Sequence, residues 1–297
     1  MKTFQTIARY LIIFLSLFAI TACSYSPETL KSGYNDMGKE YIRELKQMAD
    51  YSPEQSAKLD ILAKDLMQWH RTNMLPNSAR LINSLANNLE RSQSLSDNEL
   101  QAYFSLIRSY PNFYESYENN LQLGKLASTL SEKQFIQVQK IIQEDTQDLT
   151  EEFQQSSWQK RKRQGVQNLA ELMSYLKVDL TNTQLDIARK HINYQRDYGS
   201  VLIATTEQWN NTLIDILSKR HEPGFVQKFA KHMQNDNHHK RLIKVIPAEM
   251  KHADQKAANM YKELLASLSK EQKATLVNQL KSISKTLNEL TIHHVPE

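Results

Sequence analysis

Five times along the chain an apolar or aromatic residue precedes Ser or Thr, with Gln or Glu three residues further on. The copies are Tyr51-Ser52-Pro53-Glu54-Gln55, Leu95-Ser96-Asp97-Asn98-Glu99, Leu130-Ser131-Glu132-Lys133-Gln134, Leu180-Thr181-Asn182-Thr183-Gln184 and Leu268-Ser269-Lys270-Glu271-Gln272. Such a segment closes a helix N-terminus. The hydroxyl accepts from the backbone N–H three residues on, the Gln or Glu reaches back to the N–H of the capping residue, and the apolar residue packs on the first turn. Pro53 stands at the first helical position, where its missing N–H leaves nothing unsatisfied. Five starts require at least five helices. With only 6 Gly and 7 Pro in 297 residues, turn formers are too scarce for a sheet joined by many tight hairpins.

Apolar residues after the caps recur three and four apart. Leu59, Leu62, Leu66 and Trp69 follow the first, Phe135, Val138, Ile142, Leu149 and Phe153 the third, and Leu276, Leu280, Ile283, Leu287 and Leu290 the fifth; each set is one buried stripe. After Thr181, the run Leu185, Ala188, Ile192, Leu202, Trp209, Leu213 and Ile216 predicts one helix over 182–219, roughly 50 Å long at 1.5 Å per residue. Gln195, Gly199 and Thr206 weaken its seam. With Pro76, Pro111, Pro223 and Pro247 as boundaries, helices are expected near 30–48, 53–72, 77–92, 97–109, 112–127, 132–156, 158–176, 182–219, 224–234, 239–262 and 270–290. The expected fold is all-α, an elongated multi-helix bundle of amphipathic helices. The uneven spacing of the caps reads as a recurring helix-start device, not a solenoid period. Residues 30–177 and 178–295 form either two helical halves or one body.

The amino terminus carries Lys2 and Arg9 without an acid, then an apolar run from Tyr10 to Ile20 broken only by Ser16, the charge and apolar regions of a signal peptide. The run is shorter than the roughly 20 residues a membrane-crossing helix needs. Ile20-Thr21-Ala22-Cys23 follows it and resembles the bacterial lipobox. That resemblance implies cleavage after residue 22, a covalent lipid on Cys23, a tether over 23–29 and a helical periplasmic domain over 30–295. Several acyl chains, at roughly 0.8 kcal/mol per buried methylene, hold a protein on a membrane permanently. Ser24 is not the aspartate that commonly retains enteric lipoproteins at the inner membrane, so the expected location is the outer membrane, facing the periplasm. The alternative is an ordinary signal peptide ahead of a buried free thiol. Cys23 is the only cysteine, so internal disulfides and multi-cysteine metal sites are excluded. Losing Lys2 and Arg9 leaves acids and bases nearly balanced, and no nucleic-acid partner is expected.

The Leu-Thr-x-x-Gln helix start resembles that of the Spy and CpxP envelope-stress proteins, whose members form helical cradles for unfolded clients. A second resemblance runs over roughly residues 20–220. Gly33-Tyr34-Asn35, the Ser52–Gln55 cap, Trp69-His70-Arg71 with Leu75-Pro76, and Lys160 to Arg163 ahead of Thr181 are similar to a family of Gram-negative lipoproteins. It implies an envelope location and assigns no activity.

Trp69-His70-Arg71 is expected to end the second helix. There the basic side chains either face the last carbonyls and Trp69 joins the core, or His70 and Arg71 bind a carboxylate or phosphate beside the ring. Lys160, Arg161, Lys162 and Arg163 occupy one helical turn and point in different directions, so they read as a solvated face or a contact for lipid phosphate or an acidic partner. His232, His238, His239, His252, His293 and His294 lack the i, i+3 or i+4 spacing of helical metal ligands, and no metal site is expected. Tyr103, Phe104, Tyr110, Phe113, Tyr114 and Tyr117 read as a core stripe or, if exposed, as a partner surface. No Gly-rich phosphate loop, Gly-x-Ser-x-Gly elbow or calcium loop occurs. The expectation is a membrane-anchored, non-enzymatic module for envelope proteins, with no cofactor beyond the lipid. The alternatives are a Spy-like holdase and a helical hydrolase or cell-wall-modifying enzyme.

Overall fold

All five caps close reciprocally. In each, the N–H of Ser52, Ser96, Ser131, Thr181 or Ser269 donates to the Gln or Glu side chain at 2.8–2.9 Å, and the hydroxyl accepts the return bond at 3.1–3.3 Å. The computed structural model describes residues 26–91, 95–100, 102–103, 116–193, 197–234 and 238–292. Cys23 with the expected leader 1–22, Phe104, Tyr110, Phe113, Tyr114, His293 and His294 lie outside them.

Helices follow in the order α1 (Pro27–Gln47), α2 (Pro53–Trp69), a π turn (His70–Met74), α3 (Leu75–Glu90), α4 (Tyr117–Ala127), α5 (Glu132–Gln155) and α6 (Trp158–Tyr175). Then come α7 (Asn182–Asn193), α8 (Gly199–Ser218), α9 (Phe225–Met233), α10 (His238–Val245), α11 (Pro247–Ala266) and α12 (Lys270–Ile292). Residues 97–100 and 102–103 are also helical, and no strand occurs among the described residues.

Beyond end shifts of a few residues, such as α1 starting at Pro27 inside the tether expected over 23–29, four boundaries differ from those expected. The helix expected over 112–127 starts at Tyr117, because Ser116 is extended (φ −74°, ψ 107°) and accepts the Asn119 N–H at 3.2 Å. The helix over 182–219 is two helices, because Asp197 Oδ1 takes the N–H of Gly199 at 3.1 Å and Gly199 meets the ring of Phe153, which leaves no room for a side chain. The helix over 239–262 is also two. Ile246, at φ −132° and ψ 61°, leaves the helical region before Pro247, whose ring disfavours a helical predecessor. Conversely, 53–72 and 77–92 are not separated by Pro76. The Leu75 N–H reaches the His70 carbonyl, a π turn that carries the helix past a residue without a donor.

The caps also organise the tertiary structure. The Gln55 and Gln134 amides donate to each other at 3.3 and 2.7 Å, and each also donates to the backbone carbonyl two residues before the other's cap, Thr129 at 3.1 Å and Asp50 at 2.8 Å. Gln184 and Gln272 repeat the arrangement, at 2.8 and 3.1 Å to each other and 3.0 and 2.7 Å to Ser267 and Asp179. Each carbonyl oxygen thus takes its own cap's N–H and its partner's amide, which uses every hydrogen-bonding site of the side chain. The hairpins α1–α2 and α4–α5 are joined at one such node, and α6–α7 and α11–α12 at the other. Glu99 occupies the fifth position, has no amide to exchange, and accepts from Asn88 at 2.6 Å instead.

The helix after the first hairpin of each node packs on the second hairpin of the other node: α3 lies along α12, and α8 along α5. Fully buried Ala79 and Ala86 let α3 approach closely, and Ser284 Oγ donates to the Ala79 carbonyl at 2.8 Å. One core joins Leu30, Met37, Leu75, Leu89, Leu169, Val178, Leu264, Leu280 and Leu287; another joins Phe135, Val138, Ile142, Leu213, Phe225 and Phe229. Each draws on both sides of residue 177.

Gln134→Glu keeps the capping box but loses the donor to Asp50. It is expected to cost about 2–3 kcal/mol in urea unfolding, whereas Glu99→Gln, outside any exchanged pair, is expected to cost less than about 1 kcal/mol. Gly199→Ala forces the Phe153 ring aside, and its expected cost of about 2–3 kcal/mol is checked by the same midpoint.

Candidate functional site

Two segments singled out in the sequence, Tyr34-Asn35 and His70-Arg71, meet at the π turn. Tyr34 belongs to the α1 stripe of Leu30, Tyr34, Met37, Gly38, Tyr41 and Ile42, which turns it inward. A Cβ on Gly38 would come within 2.7 Å of Met67 Cγ, so α1 lies close against α2 there. The Tyr34 hydroxyl sits 2.9 Å from His70 Nδ1, and both side chains are almost wholly buried. Arg71 donates through Nη1 to the Leu290 carbonyl at 2.9 Å and through Nη2 to Asn35 Oδ1 at 2.8 Å, with its guanidinium carbon 4.9 Å from the Tyr34 ring centre.

Arg71 therefore does not face the end of its own helix, because that helix does not end there. It holds the last turn of α12, where a cation meets the negative end of the helix dipole. Burial, and then the Arg71 charge, push His70 down to about 3. Burial pushes the Tyr34 phenol upward. Both shifts favour the uncharged form, so the pair is a hydrogen bond between neutral groups and not a proton relay tuned to pH 7.

The basic run on α6 is divided by its helical geometry. Arg161 turns inward, donating to the Phe153 carbonyl at 3.2 Å and to the Ser156 carbonyl, pairing with Asp197 and lying 3.8 Å over the Phe153 ring. It holds the end of α5 much as Arg71 holds the end of α12. Lys162 lies 5.5 Å over Trp158, while Lys160 and Arg163 are exposed. Among the histidines, His232 stacks on Trp209 at 4.6 Å, with its Nε2 3.2 Å from the Trp209 carbonyl. No group of three or more His, Cys, Asp or Glu side chains able to hold a metal occurs among the described residues. Tyr103 is buried and Tyr117 is 37% exposed.

Arg220 carries no signal in the sequence, because it follows α8 outside any periodic run. It is 4% exposed, donates to the Leu130 carbonyl at 2.9 Å, pairs with Glu132 at 2.6 Å and lies over Phe135 at 4.7 Å, tying the end of α8 to the first node. An open depression of about 470 Å³ beside it is lined by Lys125, Ser128, His221, Glu222 and Phe225. The glutamine exchange did have a signal: an N-cap box accepts Gln or Glu equally, yet four of the five copies carry Gln.

An all-helical protein with two nodes of exchanged glutamines and buried arginines at its helix ends is the class that this geometry defines. The chain belongs to DUF6279, a family of unknown function whose model matches residues 47–241. His70, Arg71, Arg161 and Arg220 fall inside the matched stretch, whereas Tyr34, Asn35 and Leu290 fall outside it. No curated protein and no solved structure matches the chain.

The pH dependence of stability isolates His70. The folded protein leaves it neutral until about pH 3, while the unfolded chain protonates it near 6.5. The unfolded state then binds more protons in this window, so the contribution is complete above pH 6.5 and falls with acidification by up to about 1.4 kcal/mol per pH unit. His70→Gln is expected to flatten the decline in unfolding free energy between pH 7 and pH 4, and an unchanged slope would assign the decline to other groups.

Proposed function

We propose that this protein is a lipid-anchored envelope lipoprotein whose helical body acts as a non-enzymatic interaction module toward envelope proteins. The observation that carries the reading is the position of the first cap. Ser26 accepts the Thr29 N–H at 3.1 Å and starts α1, only three residues after Cys23 of the lipobox-like segment. Three residues span at most about 11 Å, so a lipid on Cys23 holds the folded body directly against its membrane, with the outer membrane and its periplasmic face as the proposed location. None of the described helices is long and apolar enough to cross a membrane, so in this reading attachment comes from the lipid.

The conspicuous polar side chains support a structural role better than a catalytic one. Arg71, Arg161 and Arg220 hold helix-end carbonyls, and Tyr34 and His70 are uncharged partners. The Gln-containing helix start that resembles the Spy and CpxP motif is accounted for by the nodes themselves, and so gives no separate support to client holding.

Metabolic labelling with palmitate tests the anchor. The wild-type chain is expected to carry the label and to fractionate with membranes, and Cys23→Ala to lose both. Label retained on Cys23→Ala rejects the assignment.

A further inference from the structure

The corner between α10 and α11 combines exposed aliphatic side chains with cations. Ile243, Lys244 and Val245 are consecutive and all exposed, Ile243 by 41% and Val245 by 55%. Three consecutive helical residues cover about 200° of the helix surface, so this end of α10 protrudes instead of lying flat on its neighbours. The chain turns at Ile246, and Pro247 and Ala248 continue the exposed apolar tip. Lys240, Lys244, Lys251 and His252 flank it along α10 and α11, all exposed, and the one acid between Lys240 and His252 is the half-buried Glu249. The inner side is fixed: Arg241 is buried and its guanidinium lies 5.1 Å from the Trp209 ring centre on α8.

We infer that this corner is a peripheral membrane-binding tip that takes an anionic phospholipid surface. The charge is complementary to anionic headgroups, and lysines around exposed aliphatic residues are the arrangement that seats a helix end at the headgroup and acyl boundary. A protruding tip offers no groove for a partner helix but enters a soft interface readily. The choice of a bilayer as occupant rests on the proposed lipid anchor, which keeps the body at a membrane, and the tip adds a second contact.

The test uses the unlipidated chain from Ser24 to Glu297, which contains every described residue, in co-sedimentation with vesicles. Binding to phosphatidylcholine vesicles containing phosphatidylglycerol is expected at low salt, falling sharply at high salt and with phosphatidylcholine alone. Lys244→Ala is expected to weaken it roughly fivefold, and Ile243→Ser with Val245→Ser to weaken it further, with unchanged melting temperatures because the three side chains are exposed. No binding to the anionic vesicles, equal binding by the variants, or binding to polyglutamate in place of vesicles overturns the inference. Palmitate labelling of Cys23 in the full chain is read separately, so a lipidated protein whose unlipidated form ignores vesicles sinks the tip and leaves the anchor standing.

Discussion

The exchanged glutamine amides at the two nodes are the interaction on which the arrangement of the helices depends. A capping box uses only the oxygen of the side-chain amide, which leaves its N–H₂ pointing away from the helix it starts. In a buried setting those donors must find acceptors. Here they find the partner glutamine and the carbonyl two residues before the partner's cap. The same residue that starts one helix therefore specifies which other helix must start beside it. At the first node, Asp50 adds Lys133 and Gln137, and these hydrogen bonds hold its carboxyl below the usual range.

Once two hairpins are fixed at each node, the following helices α3 and α8 each have an apolar stripe still to bury. Each is buried on the other node's second hairpin, α12 and α5. The far ends of those hairpins are closed by arginines, Arg71 on α12 and Arg161 on α5. The two attachments differ in their surroundings. Arg71 sits beside a buried tyrosine and histidine at a π turn, whereas Arg161 sits over Phe153 where α8 begins at Gly199. A shared architectural task is met by different local chemistry.

This arrangement explains why residues that look functional in a linear reading are found inside. A histidine next to an arginine suggests an anion site; both are buried here, and Arg71 donates to the carbonyl of Leu290. The membrane role proposed for this protein rests instead on the lipobox-like segment of the sequence and on the exposed cationic corner of α10, one by covalent chemistry and the other by surface charge.

Much of the local structure is legible in the residues themselves. The five caps, the all-α class and the apolar stripes follow from short-range hydrogen bonding and from a periodicity of three and four. The start of α8 at Gly199 needed the ring of Phe153, a residue over forty positions earlier in the chain, which leaves position 199 no room for a side chain. Pro76 reads as a stop, yet the π turn at His70 carries the helix on, because Arg71, Asn35 and Leu290 meet there only in three dimensions. The sequence by itself determined where the five capped helices start and which face they bury, since caps and stripes are set by residues within a turn or two of one another. Which starts pair, which helices are exchanged between nodes and what Arg71, Arg161 and Arg220 hold were decided by tertiary structure alone. Those choices depend on donors and carbonyls that lie far apart in the chain and become neighbours only once water has been excluded between them.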